Sequence, residues 1–239
     1  MRKLILVLLA LPLLSIAQEK TVVSVNRVFP KGDKVRAFEK ALAAHAQKYH
    51  KGNWKWRVFT VESGPDAGAY HITEGPLGWD DVDNRGDLGK AHTADWDINI
   101  APLLTDRSEN SYSVYRADLS SVALTDYSDK IAITHIFPKP GYSEDLEEII
   151  KKLKKTWDAS GQTVAVYEAS ASGPPQMALV YRYKQGLKER TTGFRKPMKE
   201  RYIQANGDRS WDDYIKSIRN GIDNSWSEML FYHADLSSK

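Results

Sequence analysis

The spacing of apolar residues along the chain changes several times, and each change marks the boundary of a predicted element. Residues 21–29 are rich in β-branched side chains, which is typical of a strand. Residues 33–51 then place Val35, Phe38 and Leu42 on one helical face. The elements expected next are strands at 54–62 and 69–74, a helical region at 90–104 and a strand at 111–119. The first part of the chain is thus predicted to run strand, helix, two strands, helix, strand.

The second part of the chain shows the same order of patterns. A strand at 130–137 is followed by a helix in which Ser143 is the expected N-cap, and Glu144 and Asp145 suit the positive end of the helix dipole. Apolar residues recur on one face of this helix, at Leu146, Ile149, Ile150, Leu153 and Trp157. The other elements expected are strands at 163–171 and 177–183, helical segments within 187–222 interrupted near Asn206-Gly207, and a strand at 228–234.

Short identical segments recur at matching places in the two parts. Ala-Asp-Leu-Ser-Ser stands at 117–121 and again at 234–238. Three more pairs keep the same order, namely Phe-Pro-Lys at 29–31 and 137–139, Ser-Gly-Pro at 63–65 and 172–174, and Trp-Asp at 96–97 and 211–212. Conserved order with small changes in spacing indicates an internal duplication. The predicted organisation is a first module at 20–121, a linker at 122–129 and a second module at 130–239.

Each predicted module has the βαββαβ order of a ferredoxin-like fold, whose helices cover one face of the sheet. The other face also carries apolar residues, because Trp56 and Phe59 alternate onto opposite sides of one strand. In element order and duplication the chain resembles the dimeric α/β-barrel superfamily, which includes antibiotic-biosynthesis monooxygenase-like, NIPSNAP-like and haem-degrading proteins. The resemblance implies an α+β monomer, a tandem pseudo-dimer in which two sheets close one barrel. It also implies a ligand between the sheet and helices of one module.

Residues 1–17 have the features of a secretory signal peptide. Arg2 and Lys3 precede an apolar run, and Ser15 and Ala17 precede the expected cleavage site. The run is too short to span a bilayer as a helix, so no stable membrane anchor is expected. A secreted or periplasmic location follows, and because the chain has no Cys, no disulfide contributes to its stability there.

The charges of the chain argue against one class of partner. Lys and Arg number 34 and Asp and Glu 31, for a net charge of +3 at pH 7, and the two signs are interleaved. Nucleic-acid binding needs a dense basic surface, so no nucleic-acid partner is expected. A hydrophobic fraction of 41% predicts a folded chain.

Four residues of the first module form the candidate ligand-binding set. Trp56 and Tyr70 suit stacking on a planar ligand, although aromatic side chains more often pack in a core. His71 is expected on the third strand and His92 at the start of the second helical region. The alternative for both histidines is a hydrogen-bonded core residue or an exposed one. The second module is expected to serve as scaffold, although its first strand carries His135.

No motif identifies a reaction, a cofactor or a metal ion. The segment 81–92 places Gly86 correctly for a calcium loop, but Arg85 and His92 stand where an EF-hand needs oxygen ligands. Looser calcium binding stays open. Phosphate-binding loops, His-Glu-x-x-His zinc motifs and Gly-x-Ser-x-Gly elbows are absent from the sequence. The sequence therefore predicts no metal site and leaves the cofactor unknown.

Two classes of function remain. The first is an exported small-molecule-binding protein for an apolar or aromatic ligand. The second is a cofactor-free or haem-dependent oxidoreductase or monooxygenase, which the resemblance implies. An open pocket that holds His71 or His92 among aromatic side chains favours the enzyme, whereas a filled one favours a binding or structural role.

Overall fold

Eight antiparallel strands close into one barrel in the computed structural model, which describes residues 19–239. The predicted signal peptide at 1–17 lies outside the described residues. The strands are β1 (Val22–Pro30), β2 (Trp56–Ser63), β3 (Tyr70–Leu77), β4 (Leu104–Tyr115), β5 (Lys130–Pro138), β6 (Val164–Ser170), β7 (Met177–Arg182) and β8 (Ile222–Tyr232). Within residues 19–239, no helix has the length and apolar character needed to cross a membrane.

Around the barrel the strands follow the order β1-β3-β2-β8-β5-β7-β6-β4. The strands of the first half of the chain (residues 19–121) are therefore contiguous, and so are those of the second half (residues 130–239). Two seams join the halves, one where β2 pairs with β8 and one where β4 pairs with β6. The predicted α+β class is confirmed, with all eight strands in a single barrel.

Helices cover the outside of the barrel. They are α1 (Val35–Tyr49), α2 (Trp79–Asp83), α3 (Lys90–Asp95), α4 (Ser143–Ser160), α5 (Met198–Asn206) and α6 (Ser210–Gly221). Short π and 3-10 turns at Trp96–Ile100 and Ala101–Leu103 continue α3 to β4. The helical segment that was expected to run from 187 is interrupted at Gly207, as the sequence predicts, and also between 191 and 197.

Three clusters of buried apolar residues correspond to the three layers of the molecule. One lies between α1 and the outer face of the first-half strands and includes Phe38, Leu42 and Val58. A second fills the equivalent layer under α4 and contains the apolar stripe predicted for that helix. The third lies inside the barrel and includes Phe59 and Ile133. Strand alternation therefore divides each strand between a helical layer and the barrel interior, as predicted.

The structure corrects three local predictions. β4 begins at Leu104 and β8 at Ile222, six or seven residues before the predicted starts, because these polar stretches pair with β1 and β5 through their backbones. A further helix, α2, lies between the predicted strand at 69–74 and the predicted helical region at 90–104, where the sequence predicts no element. The N-cap of α4 is Tyr142, and Ser143 is the first helical residue, with no side-chain cap hydrogen bond.

The two copies of Ala-Asp-Leu-Ser-Ser have a definite structural role, which the first copy shows. It follows β4 of the first half and lies against β6 of the second half. The backbone N–H of Val166 donates to Ser120 Oγ at 2.8 Å, and that of Val164 donates to Ser121 Oγ at 2.9 Å. Leu119 is fully buried beneath them. The hydroxyls thus satisfy strand donors that lie beyond the end of β4, where no strand partner is available.

The second copy makes the same contacts in the opposite direction. It follows β8 of the second half and lies against β2 of the first. The N–H of Val58 donates to Ser237 Oγ at 3.0 Å, and that of Trp56 donates to Ser238 Oγ at 2.9 Å, while Leu236 is buried. We call these two segments the serine clasps. Each clasp fastens the end of one half to a strand of the other.

Candidate functional site

A cavity of about 720 Å³ occupies the barrel interior. Both halves of the chain supply its wall, which mixes apolar, aromatic and charged side chains. The side chains that line it include Arg27, Arg57, Phe59, His71, Tyr127, Ile133, His135, Tyr167, Ala178, Arg182 and Trp226. A volume in this range is typical of small-molecule sites, which pair a mostly apolar lining with a few polar groups.

A buried ionic network crosses the cavity wall around Arg27. Its Nη1 donates to Asp66 at 2.6 Å and to Glu228 at 2.9 Å, and its Nη2 donates to Glu228 at 2.7 Å. Nη2 also lies 2.9 Å from Nδ1 of His71. The two contacts to Glu228 form the bidentate pairing that is the strongest geometry for this ion pair. Arg107 is a second partner of Asp66.

Burial and these contacts fix the protonation states in the network. Burial raises the pKa of Glu228, but hydrogen bonds from His135 and Arg27 outweigh that effect and lower the pKa to about 2. Burial lowers the pKa of His71 to about 3, and the charge of Arg27 adds to the effect. At neutral pH Glu228 is therefore a carboxylate and His71 is neutral. Because Arg27 donates to Nδ1 of His71, the ring proton is assigned to Nε2.

His135 connects the second half to the same network. Its Nε2 lies 3.0 Å from Oε1 of Glu228, and its Nδ1 lies 3.1 Å from Oε1 of Gln176. Its ring stacks on Trp226 with centroids 4.0 Å apart. His135 and Arg27 stand at equivalent positions of the two repeated segments. In the structure both side chains contact the carboxylate of Glu228.

A different part of the cavity wall carries cations without carboxylate partners. The guanidinium of Arg57 lies 4.0 Å from the ring centroid of Tyr127 and 4.3 Å from that of Tyr232, and forms no ion pair among residues 19–239. Its Nε is buried and lacks a hydrogen-bond acceptor within the described chain. Burial lowers the pKa of Arg57. Arg182 donates to backbone carbonyls and to Tyr167 Oη, all of which are neutral.

The two polar regions are separated along the barrel. Arg182 is the strand partner of Ile131, whereas Trp226 is the partner of His135. Four residues of strand separate Ile131 from His135, or about 13 Å at 3.3 Å per residue. Ile133 lines the cavity between these two levels, and its strand partner there is Glu228 of the network. The cavity is therefore elongated, and the positive charges without a carboxylate partner lie at the level of Arg57 and Arg182.

A second polar group lies outside the barrel, between the first-half sheet and its helices. It consists of His45 on α1, His50 directly after α1, and His92 on α3. One nitrogen from each ring lies within 4.8 Å of the others. Trp56 stacks on His50 with centroids 3.5 Å apart, and the two rings are 24° from parallel. Burial lowers the pKa of His45 to about 4, and it lowers the pKa of His50 as well.

The structure divides the four predicted ligand residues between these two places. His71 lines the barrel cavity, whereas Trp56 and His92 belong to the histidine group on the helical side. Tyr70 packs edge-on against Phe38 in the helical layer. Tyr70 and His71 are neighbours on β3, so their side chains point to opposite faces of the sheet. The four residues do not share one cavity.

Sequence reasoning missed several polar residues of the site. The sequence places Glu228 at the start of the predicted strand 228–234 and Arg57 within the predicted strand 54–62, and it indicates a functional role for neither. His45 was also overlooked, although it lies three residues after Leu42 on the apolar face of α1, a position that predicts burial. A buried histidine on a helical face was the one available signal for the histidine group.

The cavity residues do not fit haem. An axial histidine must offer iron an unprotonated ring nitrogen. Nδ1 of His71 already accepts from Arg27, and both ring nitrogens of His135 contact Glu228 or Gln176.

No protein-family model and no curated protein sequence matches the chain. Solved structures do match it. An anthrone oxidase-like protein superposes with a TM-score of 0.57 at 13% identity, covering 90% of this chain and 92% of that one. A candidate monooxygenase from Lactobacillus acidophilus NCFM gives 0.54 at 10% identity, with 92% and 97% covered. A mutant chlorite dismutase from Candidatus Nitrospira defluvii gives 0.53 at 6% identity, with 90% and 92% covered.

These likenesses extend over nearly the whole of each chain, but the identities are low. They therefore concern the fold. The protein has a mixed α+β fold with an eight-stranded antiparallel barrel, similar to the dimeric α/β-barrel folds of these structures.

Proposed function

We propose that the protein binds a small apolar or aromatic molecule inside the barrel. The observation that supports this proposal is the cavity of about 720 Å³, whose wall combines Phe59, Ile133 and Trp226 with a small set of charged groups. Apolar surface of this kind gains free energy when a ligand displaces its water, and the polar groups orient the ligand.

The unpaired cations specify one part of that ligand. Arg57 is half-buried, and its buried Nε has no acceptor within residues 19–239, which costs free energy until a partner is supplied. Arg182 adds a second positive charge near the same ring, because its guanidinium lies 5.5 Å from the centroid of Tyr127. An anionic group on the ligand supplies the missing partner. We infer an elongated ligand with an apolar or aromatic body and one carboxylate or sulfonate.

The test uses 1-anilinonaphthalene-8-sulfonate, a fluorescent aromatic anion. Binding should be saturable, at one site per chain. Ala178→Trp, which fills the cavity, should abolish it, whereas Ala37→Trp on the exposed face of α1 should not. Val180→Phe is the milder variant to use should Ala178→Trp fail to fold. Equal binding by the cavity-filled and control variants would refute a ligand site in the barrel.

The anionic group has a separate test with the same probe. Arg57→Gln should weaken binding of the sulfonate by about tenfold or more, because a charge-assisted contact contributes roughly 1.5–3 kcal/mol. Arg36→Gln changes the same residue type at an exposed position of α1 and serves as the control. Unchanged affinity in folded Arg57→Gln would remove the anionic group from the proposal and leave the cavity in place.

A second candidate function is a cofactor-free oxidoreductase. Two observations favour it. The cavity holds His71 among aromatic side chains, which is the arrangement expected of an enzyme. The buried network of Arg27, His71 and Glu228 lies in its wall, and groups with perturbed pKa values in a cavity are candidates for chemistry. In the test, anthrone is supplied as the substrate. It is an aromatic compound that loses a proton readily, and its reaction with O₂ gives anthraquinone and water. Oxygen uptake above the uncatalysed rate, lost in His71→Asn and Glu228→Gln, would support the enzyme. Binding without uptake would support the first candidate alone.

We also propose that the chain is a tandem pseudo-dimer, and that it is exported. The short identical segments that recur in the two halves, together with the two serine clasps, support the duplication. The charged start and apolar run at 1–17 support export. Chromatography with light scattering of the exported protein should give a monomer whose mass is slightly below the 27.0 kDa of the full chain, because residues 1–17 are removed. N-terminal sequencing of secreted or periplasmic protein should begin at or near Gln18. An intact Met1 in the cytoplasm would contradict export.

A further inference from the structure

We propose that His45, His50 and His92 bind a divalent transition-metal ion, with zinc the best fit. The site lies on the helical side of the first-half sheet, apart from the barrel cavity, and is independent of the functions proposed above.

Hydrogen bonds define which ring nitrogens are free to ligate. Nδ1 of His45 lies 2.8 Å from Oδ2 of Asp95, and Nδ1 of His50 lies 3.1 Å from Oε2 of Glu74. A carboxylate accepts hydrogen bonds and donates none, so each Nδ1 carries the proton. The Nε2 atom of each ring is then left with a lone pair. Two neutral imidazoles with free Nε2 atoms are the donors that zinc selects.

Two ring nitrogens of the group have no protein partner, whereas Nε2 of His50 contacts Nε2 of His92. His45 is fully buried, and its Nε2 has no hydrogen-bond partner within residues 19–239. The same holds for Nδ1 of His92. A buried polar atom without a partner costs about 1–3 kcal/mol, and native proteins contain few of them. A cation placed among the rings satisfies the Nε2 of His45 directly.

The distances within the group suit a metal ion. Nε2 of His50 lies 3.3 Å from Nε2 of His92. Two nitrogens that ligate tetrahedral zinc at about 2.0–2.1 Å stand roughly 3.3 Å apart, which is the same separation. The widest gap among the three ligand atoms is at most 4.8 Å. Because the His50–His92 distance is 3.3 Å, the widest gap involves His45, and ligation requires the half-buried His92 to move towards it.

The residues behind the ligands are arranged as in known zinc sites. A metal-bound histidine usually donates its other nitrogen to a carboxylate, which orients the ring and increases its basicity. Asp95 and Glu74 occupy that position. Glu74 is itself held by Trp56 Nε1 at 2.9 Å and by Arg85 Nε at 2.7 Å. The outer contacts of His45 and His50 are therefore in place without a bound ion.

Three imidazole donors also define the class of ion and its access. Imidazole suits zinc, copper, nickel and iron, whereas calcium and magnesium prefer oxygen ligands. Three protein ligands leave one tetrahedral position for water. His92 is half-buried, so the ion enters from its side. The proposed site is thus a three-histidine centre with one position open.

The experiment measures zinc binding to untagged protein that has been freed of metal by a chelator. Calorimetry and elemental analysis should give one zinc per chain, and cobalt(II) should give the visible absorption of a tetrahedral complex. His50→Gln and His92→Gln should each weaken zinc binding by roughly 100-fold or more, and Asp95→Asn by about tenfold. His233→Gln, a histidine outside the group, is the matched control and should leave the affinity unchanged.

The outcomes separate a metal site from a packed histidine cluster. Failure of the unaltered protein to bind zinc stoichiometrically would overturn the proposal. Wild-type affinity in folded His92→Gln would do the same. Because His92 is half-buried, its replacement disturbs the core least, and circular dichroism verifies that the variant is folded. Should His50→Gln unfold, His92→Gln carries the test alone.

Discussion

Removing one partner of the Arg27–Glu228 pair should destabilise the protein strongly. Glu228 accepts two hydrogen bonds from Arg27 and contacts His135, and its side chain is fully buried. Glu228→Leu leaves Arg27 with Asp66 as its only carboxylate partner. Breaking a buried pair costs about 3–5 kcal/mol, chiefly because one charge stays buried without compensation. For a chain of this size each kcal/mol lowers Tm by about 2–4 °C, so we expect a fall of roughly 10 °C.

A double-mutant cycle distinguishes this explanation from a simple loss of packing. Arg27→Met should cost a similar amount, since it leaves Glu228 without its guanidinium. The double variant Arg27→Met/Glu228→Leu should be more stable than either single variant, because two apolar side chains replace the pair. The free energy of unfolding is measured in urea at pH 7, by tryptophan fluorescence and circular dichroism. The expected coupling energy is about 2–3 kcal/mol.

The control for this cycle is Glu148→Leu. Glu148 contacts Lys151 on the exposed face of α4, so its replacement should cost less than about 1 kcal/mol. Additive costs in the double variant, or a cost below about 1 kcal/mol for Glu228→Leu, would refute the reasoning, because both results require a pair that solvent already screens.

Three further predictions concern pH, metal binding and backbone strain. Folding lowers the pKa of His71 from 6.5 to about 3 and that of Glu228 from 4.5 to about 2. As the pH falls, the unfolded chain therefore binds protons at these groups before the folded protein does, and this favours unfolding. Stability should be complete above pH 6.5 and fall towards pH 3. In His71→Asn the fall in Tm between pH 6.5 and 4.5 should be smaller than in the unaltered protein, and the part that stays comes from His45 and His50, whose pKa values burial also lowers. Zinc at about 100 times its Kd should stabilise the protein by about 2.7 kcal/mol and raise Tm by roughly 5–10 °C, but not in His92→Gln. Gly64 has φ +103 and an added Cβ would lie 2.9 Å from Glu228 Cβ, so Gly64→Ala should cost more than about 1 kcal/mol in urea unfolding, unlike Gly32→Ala, which meets open space.

The order of elements was predictable because burial imposes a period on the sequence. Strands alternate and helices repeat every 3.6 residues, so the apolar stripes of α1 and α4 locate those helices within a few residues. β4 and β8 began earlier than predicted because strand pairing through the backbone needs no apolar side chain. The polar residues at 104–110 and 222–227 therefore gave no signal of their own.

The candidate site was less accessible to sequence reasoning. Alternation predicts that Tyr70 and His71 face opposite sides, but it does not tell which side holds a cavity. That depends on β8 and β5 closing the barrel against β2, which is a contact between the two halves. The histidine group depends in the same way on the fold, because His92 reaches His45 only when α3 packs beside α1.

The serine clasps have a consequence for how the chain folds. The backbone donors at the start of β2 are satisfied by Ser237 and Ser238, which lie 179 and 182 residues away from their partners in sequence. Contacts between residues so distant in sequence form slowly. The first half therefore cannot satisfy these donors until the second half has folded against it. A variant that lacks both serine hydroxyls keeps all eight strands, yet leaves one seam of the barrel without these hydrogen bonds.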